Sequence, residues 1–238
     1  MIPKIIHYCW LSGDSKPDTV VKCLDSWKQY LPDYQIKCWD ANAFKSIDAR
    51  FAKEAFEHKK WAFVSDYIRL FALYHEGGIY LDSDVQVWDN IDDMLSNEFF
   101  SGLETRDKEH TQIYLEAAIM GAEKGNGFIK QCLDLYDSRR FVGENGELDM
   151  TPIPTILSPI LEQYCGWKRE DITQYLDNGV TVYSTDIIAN TNCERTSTVK
   201  LYHLNNRSWI PLSAKEKFIR RLKDVGVYDL LRDIKGKR

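Results

Sequence analysis

The chain has 238 residues and a formal net charge of −5, with 44% hydrophobic and 28% charged residues, the balance of an ordinary globular protein. Residues 215–238 hold nine Lys and Arg against four Asp and Glu, so the remainder carries a net −10, and an acidic body of this kind excludes a nucleic-acid binder. The cysteines (9, 23, 38, 132, 165 and 193) form no C-x-x-C pair, which excludes a zinc cluster or disulfide framework and points to a reducing, cytoplasmic compartment.

Ile5 to Trp10 reads as a first buried strand, too short for a membrane span and without a signal-peptide cleavage pattern. After a loop over 11–17, Val20, Leu24, Trp27 and Leu31 recur at helical spacing until Pro32. Tyr34 to Trp39 alternates as a second strand, and strand, helix, strand in this space predicts a βαβ unit with parallel pairing. Helices are expected over about 49–58 and over Trp61 to Glu76, the latter closed by Gly77. Further on, Phe99 to Leu103 and Ala117 to Gly121 read as strands and Gly127 to Tyr136 as a helix. Thr151 to Thr155 reads as an irregular stretch, and a helical run follows it through Tyr164. Val180 to Tyr183 and Val199 to His203 read as late strands, and 213–234 as a basic amphipathic helix. No repeat or linker interrupts the chain, so one α/β domain over 1–212 with an appended helix over 213–238 is expected.

The most informative stretch is Gly77-Gly78-Ile79-Tyr80-Leu81-Asp82-Ser83-Asp84-Val85. Read as one extended segment, it would place Asp82 and Asp84 on one face. Two carboxylates so placed repel unless a cation or several donors lie between them, and an acidic pair in an apolar setting is costly without a partner. One helix upstream, Asp66 and Arg69 share a helical face, either as an intrahelical ion pair or as a polar face turned into the same cleft. Trp10 ends the first strand, as a core indole or as a ring for stacking on a flat base. His203 precedes a polar, aromatic loop and offers an imidazole to a metal site that two carboxylates leave open.

The string A-x-x-S-D-Y-I-R-L-x-x-L-Y-x-x-G-G-I-Y-L-D-S-D-V, with I-P-K-I-I-H-Y-C-W near the start and H-x-x-x-x-S-W near the end, resembles the family 32 glycosyltransferases. The catalytic domains of the large clostridial glucosylating toxins are more distant relatives with the same three blocks, which here span residues 2–209. The resemblance implies a GT-A fold: a Rossmann-like, mixed, mainly parallel sheet flanked by helices. It implies a nucleotide-sugar donor (a UDP-sugar is favoured), Mn²⁺ or Mg²⁺, and transfer of a hexose with retention of configuration. The acceptor would be a glycan or lipid-linked oligosaccharide in capsular polysaccharide or lipopolysaccharide assembly. By the same resemblance Trp10 stacks on the base, and Asp66, Arg69 and Asp82 are the catalytic set around the donor sugar. Ser65, Tyr80, Ser83, Ser208 and Trp209 complete the donor wall. Asp84 binds the metal directly, with Asp82 and His203 beside it.

The basic C-terminal helix reads either as a packed terminal helix or as an interfacial helix on anionic lipid, which would make the protein peripheral at the inner face of the plasma membrane. The Thr151 to Thr155 stretch is a candidate acceptor wall. Two other functions compete: a Mg-dependent phosphohydrolase or nucleotidyltransferase, because an Asp-rich strand end also serves phosphoryl transfer, and a non-catalytic nucleotide-sugar-binding domain.

Overall fold

The structure, a computed structural model, describes residues 1–105, 109, 111–193 and 195–205. The expected C-terminal helix over 213–238 lies outside these residues, as do Ser208 and Trp209. Met1–Asn205 forms one compact unit.

The chain opens with the expected βαβ unit: β1 (Ile5–Cys9), α1 (Asp18–Tyr30) and β2 (Gln35–Trp39), with β1 and β2 parallel. Two short helices follow, α2 (Ala41–Phe44) and α3 (Arg50–Glu57). Sequence reading missed α2, which exists because the Asp40 side chain caps the free N–H groups of Asn42 and Ala43. The long helix α4 (Trp61–Glu76) ends at Gly77, and β3 (Gly78–Leu81) starts at once. Gly77 and Gly78 both have positive φ, 70° and 108°. A Cβ on Gly78 would lie 2.6 Å from the Ile5 carbonyl oxygen, so only glycine lets β3 lie so close to β1 here.

The remaining strands are β4 (Val85–Val87), β5 (Phe99–Thr105), β6 (Ile113–Ala122), β7 (Gln174–Leu176), β8 (Val180–Val182), β9 (Ile188–Asn190) and β10 (Leu201–His203). A 3-10 turn spans Asp92–Ser96, and helices α5 (Gly127–Ser138) and α6 (Ile153–Cys165) lie between β6 and β7. The expected break over Thr151 to Thr155 is shorter than that: α6 starts at Ile153, and Pro154 sits in its first turn. A proline there costs little, since the first N–H groups of a helix have no intrahelical partner.

Seven strands form the main sheet in the order β2-β1-β3-β6-β5-β8-β7, and β4-β10-β9 form a second, small sheet. The main sheet is mixed: β1 is parallel to β2 and β3, β5 is parallel to β8, and the other neighbours are antiparallel. Both of its faces are covered, which explains why its strands read as nearly continuous apolar runs. On one face Tyr80, Phe99, Leu103 and Met120 pack with residues of α4, α5 and α6. On the other, Ile79, Leu81, Phe100 and Ile119 pack with Trp27 and Leu31 of the α1 region and with Val85, Ile188 and Leu201 of the small sheet. Among the described residues no helix is long and apolar enough to cross a membrane.

Candidate functional site

The acidic pair departs from its sequence reading. Asp82, Ser83 and Asp84 are not part of one extended strand; β3 ends at Leu81, and the three residues turn the chain into β4. The Val85 N–H donates to the Asp82 carbonyl at 3.0 Å, closing the turn. The two aspartates converge through this turn and not through the period of a pleat. The turn also passes the chain from the main sheet to the small one. Helix α1 fixes its far side, where Trp27 Nε1 donates to the Val85 carbonyl at 2.8 Å and the Val87 N–H donates to Ser26 Oγ at 3.0 Å.

Strand β10 brings His203 to the same place by pairing antiparallel with β4, His203 opposite Val85. The Leu204 N–H then donates to the Asp84 carbonyl at 3.0 Å. One ligand atom from each of Asp82, Asp84 and His203 lies within 4.8 Å of the others. His203 Nε2 faces Asp84 Oδ1 at 3.4 Å, and Nδ1 faces Glu116 Oε2 at 3.2 Å. Burial disfavours the charged ring, but the carboxylates of Glu116 and Asp84 outweigh it and hold His203 well above the usual imidazole value. Two carboxylates and one imidazole are a donor set that suits a divalent cation.

Asp66 and Arg69 do face the acidic turn. Arg69, only 4% exposed, is bonded throughout: Nε to the Ser65 carbonyl at 3.3 Å, Nη1 to the Ala117 carbonyl at 2.7 Å, and Nη2 to Ser65 Oγ at 3.2 Å and Asp66 Oδ1 at 3.0 Å. Asp82 Oδ1 lies 3.4 Å from Nη2. Burial pushes the Asp66 carboxyl up to about 7, against the pull of Arg69 and with the Asp82 charge adding to the rise. Tyr80 is buried beneath the Arg69 guanidinium, 4.6 Å from ring centroid to Cζ, and donates its hydroxyl to Asp82 Oδ1 at 2.8 Å. Ser65 donates to the Ala62 carbonyl at 2.7 Å and accepts from Arg69, so its hydroxyl is engaged within α4. Ser83 is half-buried in the turn.

Trp10 is half-buried just past β1, where its Nε1 donates to the Asp14 carbonyl at 2.8 Å and the Lys16 ammonium lies 5.4 Å from its ring centroid.

Sequence reading passed over Glu116. This carboxylate is 1% exposed in β6, in a run that is otherwise nearly all apolar. Its one legible signal was that contrast, since a buried acid needs a partner. The strand is distorted where Glu116 sits: Ser101 pairs with Met120 and Leu103 with Leu115, so two steps along β5 match five along β6. Ser101 Oγ spans the distortion, donating to the carbonyls of Glu116 at 2.7 Å and Ile119 at 3.0 Å.

Residues 17–101, which contain Asp66, Arg69, Tyr80, Asp82 and Asp84, match the family described as "Glycosyltransferase sugar-binding region containing DXD motif". Over that segment the chain is similar to the DXD glycosyltransferases. An uncharacterized glycosyltransferase, L373, of Acanthamoeba polyphaga mimivirus is 26% identical over 89% of this chain and 85% of its own length. The mannosyl phosphorylinositol ceramide synthase SUR1 of Saccharomyces cerevisiae is 28% identical over 71% of this chain, which spans only 44% of that relative. Among solved structures, the PaToxG glycosyltransferase superposes with a TM-score of 0.52 at 21% identity, over 68% of this chain and 70% of that one. That likeness concerns the fold alone, a mixed sheet flanked by helices of the GT-A kind expected from the sequence.

Proposed function

We propose that this chain is a DXD glycosyltransferase that moves a hexose from a nucleotide-sugar donor, a UDP-sugar, to a glycan or lipid-linked oligosaccharide, with retention of configuration and with Mn²⁺ or Mg²⁺. The observation that carries the reading is the convergence of Asp82 and Asp84, from the turn between β3 and β4, with His203 of β10. When bound there, a divalent ion supplies neutralisation of the charge that develops on the leaving diphosphate. An imidazole beside two carboxylates suits Mn²⁺ better than Mg²⁺, which prefers an all-oxygen shell.

The chain's own groups divide the remaining work. Trp10 offers its ring to the base, with Lys16 beside it for a negatively charged donor. Asp66 accepts hydroxyl groups of the donor sugar. Arg69 spends its donors on protein, and its role is to hold Asp66 and Asp82 in place. Tyr80 orients Asp82 in the same way from below. Ser65 fixes Arg69, Ser83 lines the acidic turn, and Ser208 and Trp209 are assigned to the diphosphate by resemblance alone. The yeast relative is named for a mannosyl phosphorylinositol ceramide product, a sugar-bearing lipid, and that name supports a lipid-linked acceptor here. A place in surface-polysaccharide assembly is the pathway this reading favours.

The test is a panel of nucleotide sugars screened by thermal shift and by donor hydrolysis, with and without Mn²⁺. At least one donor should bind and hydrolyse in a metal-dependent manner, and Asp84→Ala should abolish the hydrolysis while the protein stays folded. Absence of any nucleotide-sugar binding, or full activity in the variant, would defeat the proposal. Metal-dependent release of inorganic phosphate from simple phosphoesters would instead favour the hydrolase chemistry that an acidic turn also allows.

A further inference from the structure

We propose that Glu116 is a positioning residue that sets the orientation and tautomer of His203 for metal binding; the inference rests on the metal site proposed above. The geometry separates the two edges of the ring. Nε2 faces Asp84, on the side where the ligand atoms converge, and Nδ1 faces Glu116 Oε2 at 3.2 Å on the other side. Glu116 is therefore no member of the converging set, and it acts through the ring. A carboxylate that accepts Nδ1–H leaves the Nε2 lone pair as the ligand and raises the basicity of the ring.

Glu116 is itself held. Its Oε1 accepts the Ala118 N–H at 3.0 Å, its carbonyl accepts Ser101 Oγ, and its side chain is all but sealed from solvent. A buried acid pinned in this way has one orientation to offer. The β6 distortion extends its reach, because three consecutive residues serve three parts of the site. Glu116 holds His203, the Ala117 carbonyl accepts Arg69 Nη1, and the Ala118 carbonyl accepts the Asp82 N–H at 2.9 Å. The Ala118 bond continues the β3–β6 ladder past the Leu81–Ile119 pair, and on the opposite edge, where the β5–β6 register shifts, the Ala117 carbonyl turns to Arg69.

The test uses Glu116→Gln, which preserves volume, and Glu116→Ala, with Asp84→Ala as the reference for the metal site. Mn²⁺ alone is titrated into each protein by calorimetry, without donor. Loss of a group of this kind typically weakens metal affinity by about 10- to 100-fold, and that is the expected shift for both Glu116 variants. A second readout is the His203 ring Nδ1–H in a ¹⁵N-resolved imidazole spectrum of the Mg²⁺-loaded protein. It should be present and shifted downfield in the wild type, and lost or moved upfield in Glu116→Gln, whose neutral amide is the weaker acceptor. Weakening by Asp84→Ala but not by Glu116→Gln, with the Nδ1–H signal unshifted, overturns the positioning role alone. Unchanged Mn²⁺ affinity in Asp84→Ala overturns the metal site beneath it. Should Glu116→Ala fail to fold, Glu116→Gln with circular dichroism as its control carries the test.

Discussion

Arg69 donates through Nη1 to the carbonyl oxygen of Ala117 at 2.7 Å, which joins the middle of α4 to the distorted part of β6. The bond crosses from the helix that carries Asp66 to the strand that carries Glu116. Both cores and the acidic turn meet at this crossing. Replacing Arg69 therefore disturbs more than one ion pair.

Arg69→Ala takes the buried guanidinium away from Ser65, Asp66, Asp82 and the Ala117 carbonyl at once, and leaves the buried Asp66 carboxyl without its cation. Breaking such a pair from one side costs about 3–5 kcal/mol. Arg69→Lys keeps the charge but forfeits the planar fork, and its loss should fall between those of the wild type and Arg69→Ala. Urea unfolding of the three proteins checks the order.

Tyr80→Phe deletes the hydroxyl that donates to Asp82. The stability loss should be about 1 kcal/mol, the net worth of one hydrogen bond. Donor hydrolysis should fall several-fold, because Asp82 loses the contact that fixes its rotamer. Steady-state kinetics with a near-ultraviolet dichroism control would show whether the effect is local.

Gly78→Ala and Gly13→Ala separate a crowded glycine from an open one. Gly13 has φ +75° with nothing within 4 Å of a new Cβ, whereas at Gly78 the Cβ would meet the Ile5 carbonyl at 2.6 Å with φ +108°. The backbone conformation alone costs about 1–3 kcal/mol at either site. Gly78→Ala should exceed that range and Gly13→Ala should stay within it, as read from denaturation midpoints.

His7 sets a pH dependence of stability. It is fully buried, with Nε2 against the Gly77 carbonyl at 2.8 Å, while Nδ1 accepts Trp39 Nε1–H at 3.2 Å. Burial is the main cause that lowers its pKa; the Gly77 carbonyl and the Glu76 charge oppose it, and Lys37 adds to it. Between the lowered folded value and the unfolded value of about 6.5, the unfolded chain binds the extra proton. Stability from this group is thus complete above pH 6.5 and drains away as pH falls below it, by at most about 1.4 kcal/mol per pH unit. Denaturation curves at neutral and mildly acidic pH should show a smaller acid loss for His7→Gln than for the wild type.

Trp10→Ala should weaken nucleotide binding by about 1–3 kcal/mol if the ring stacks on the base. Trp10→Phe should retain a good part of the affinity. Equal binding by all three proteins, measured by calorimetry with a nucleoside diphosphate, would remove Trp10 from the donor site.

Much of this site was legible in the sequence. The glycine stop after α4, the βαβ opening and the apolar strands follow from local chemistry, and Asp66, Arg69, Asp82, Asp84 and His203 do gather at one place. The turn at Asp82 to Asp84 was not legible, because Gly78 to Val87 keeps an apolar, strand-like character on both sides of it. What ends β3 there is the pull of α1 and β10 on β4, a tertiary effect. Glu116 escaped for a related reason: its partner His203 is distant in sequence, and the β6 distortion that aims it depends on Ser101 from a neighbouring strand.

The pairing of β4 with β10 also dictates an order of assembly. Val85 and His203 are neighbours in space yet far apart along the chain, and such closures come late and slowly. During synthesis the acidic turn leaves the ribosome long before the strand that completes it, since chains emerge N-terminus first. Until Leu201–His203 arrives, β4 has no strand partner among the described residues and two aspartates lack their histidine. A chain stopped before that point would carry the D-x-D motif in full and still have no finished site.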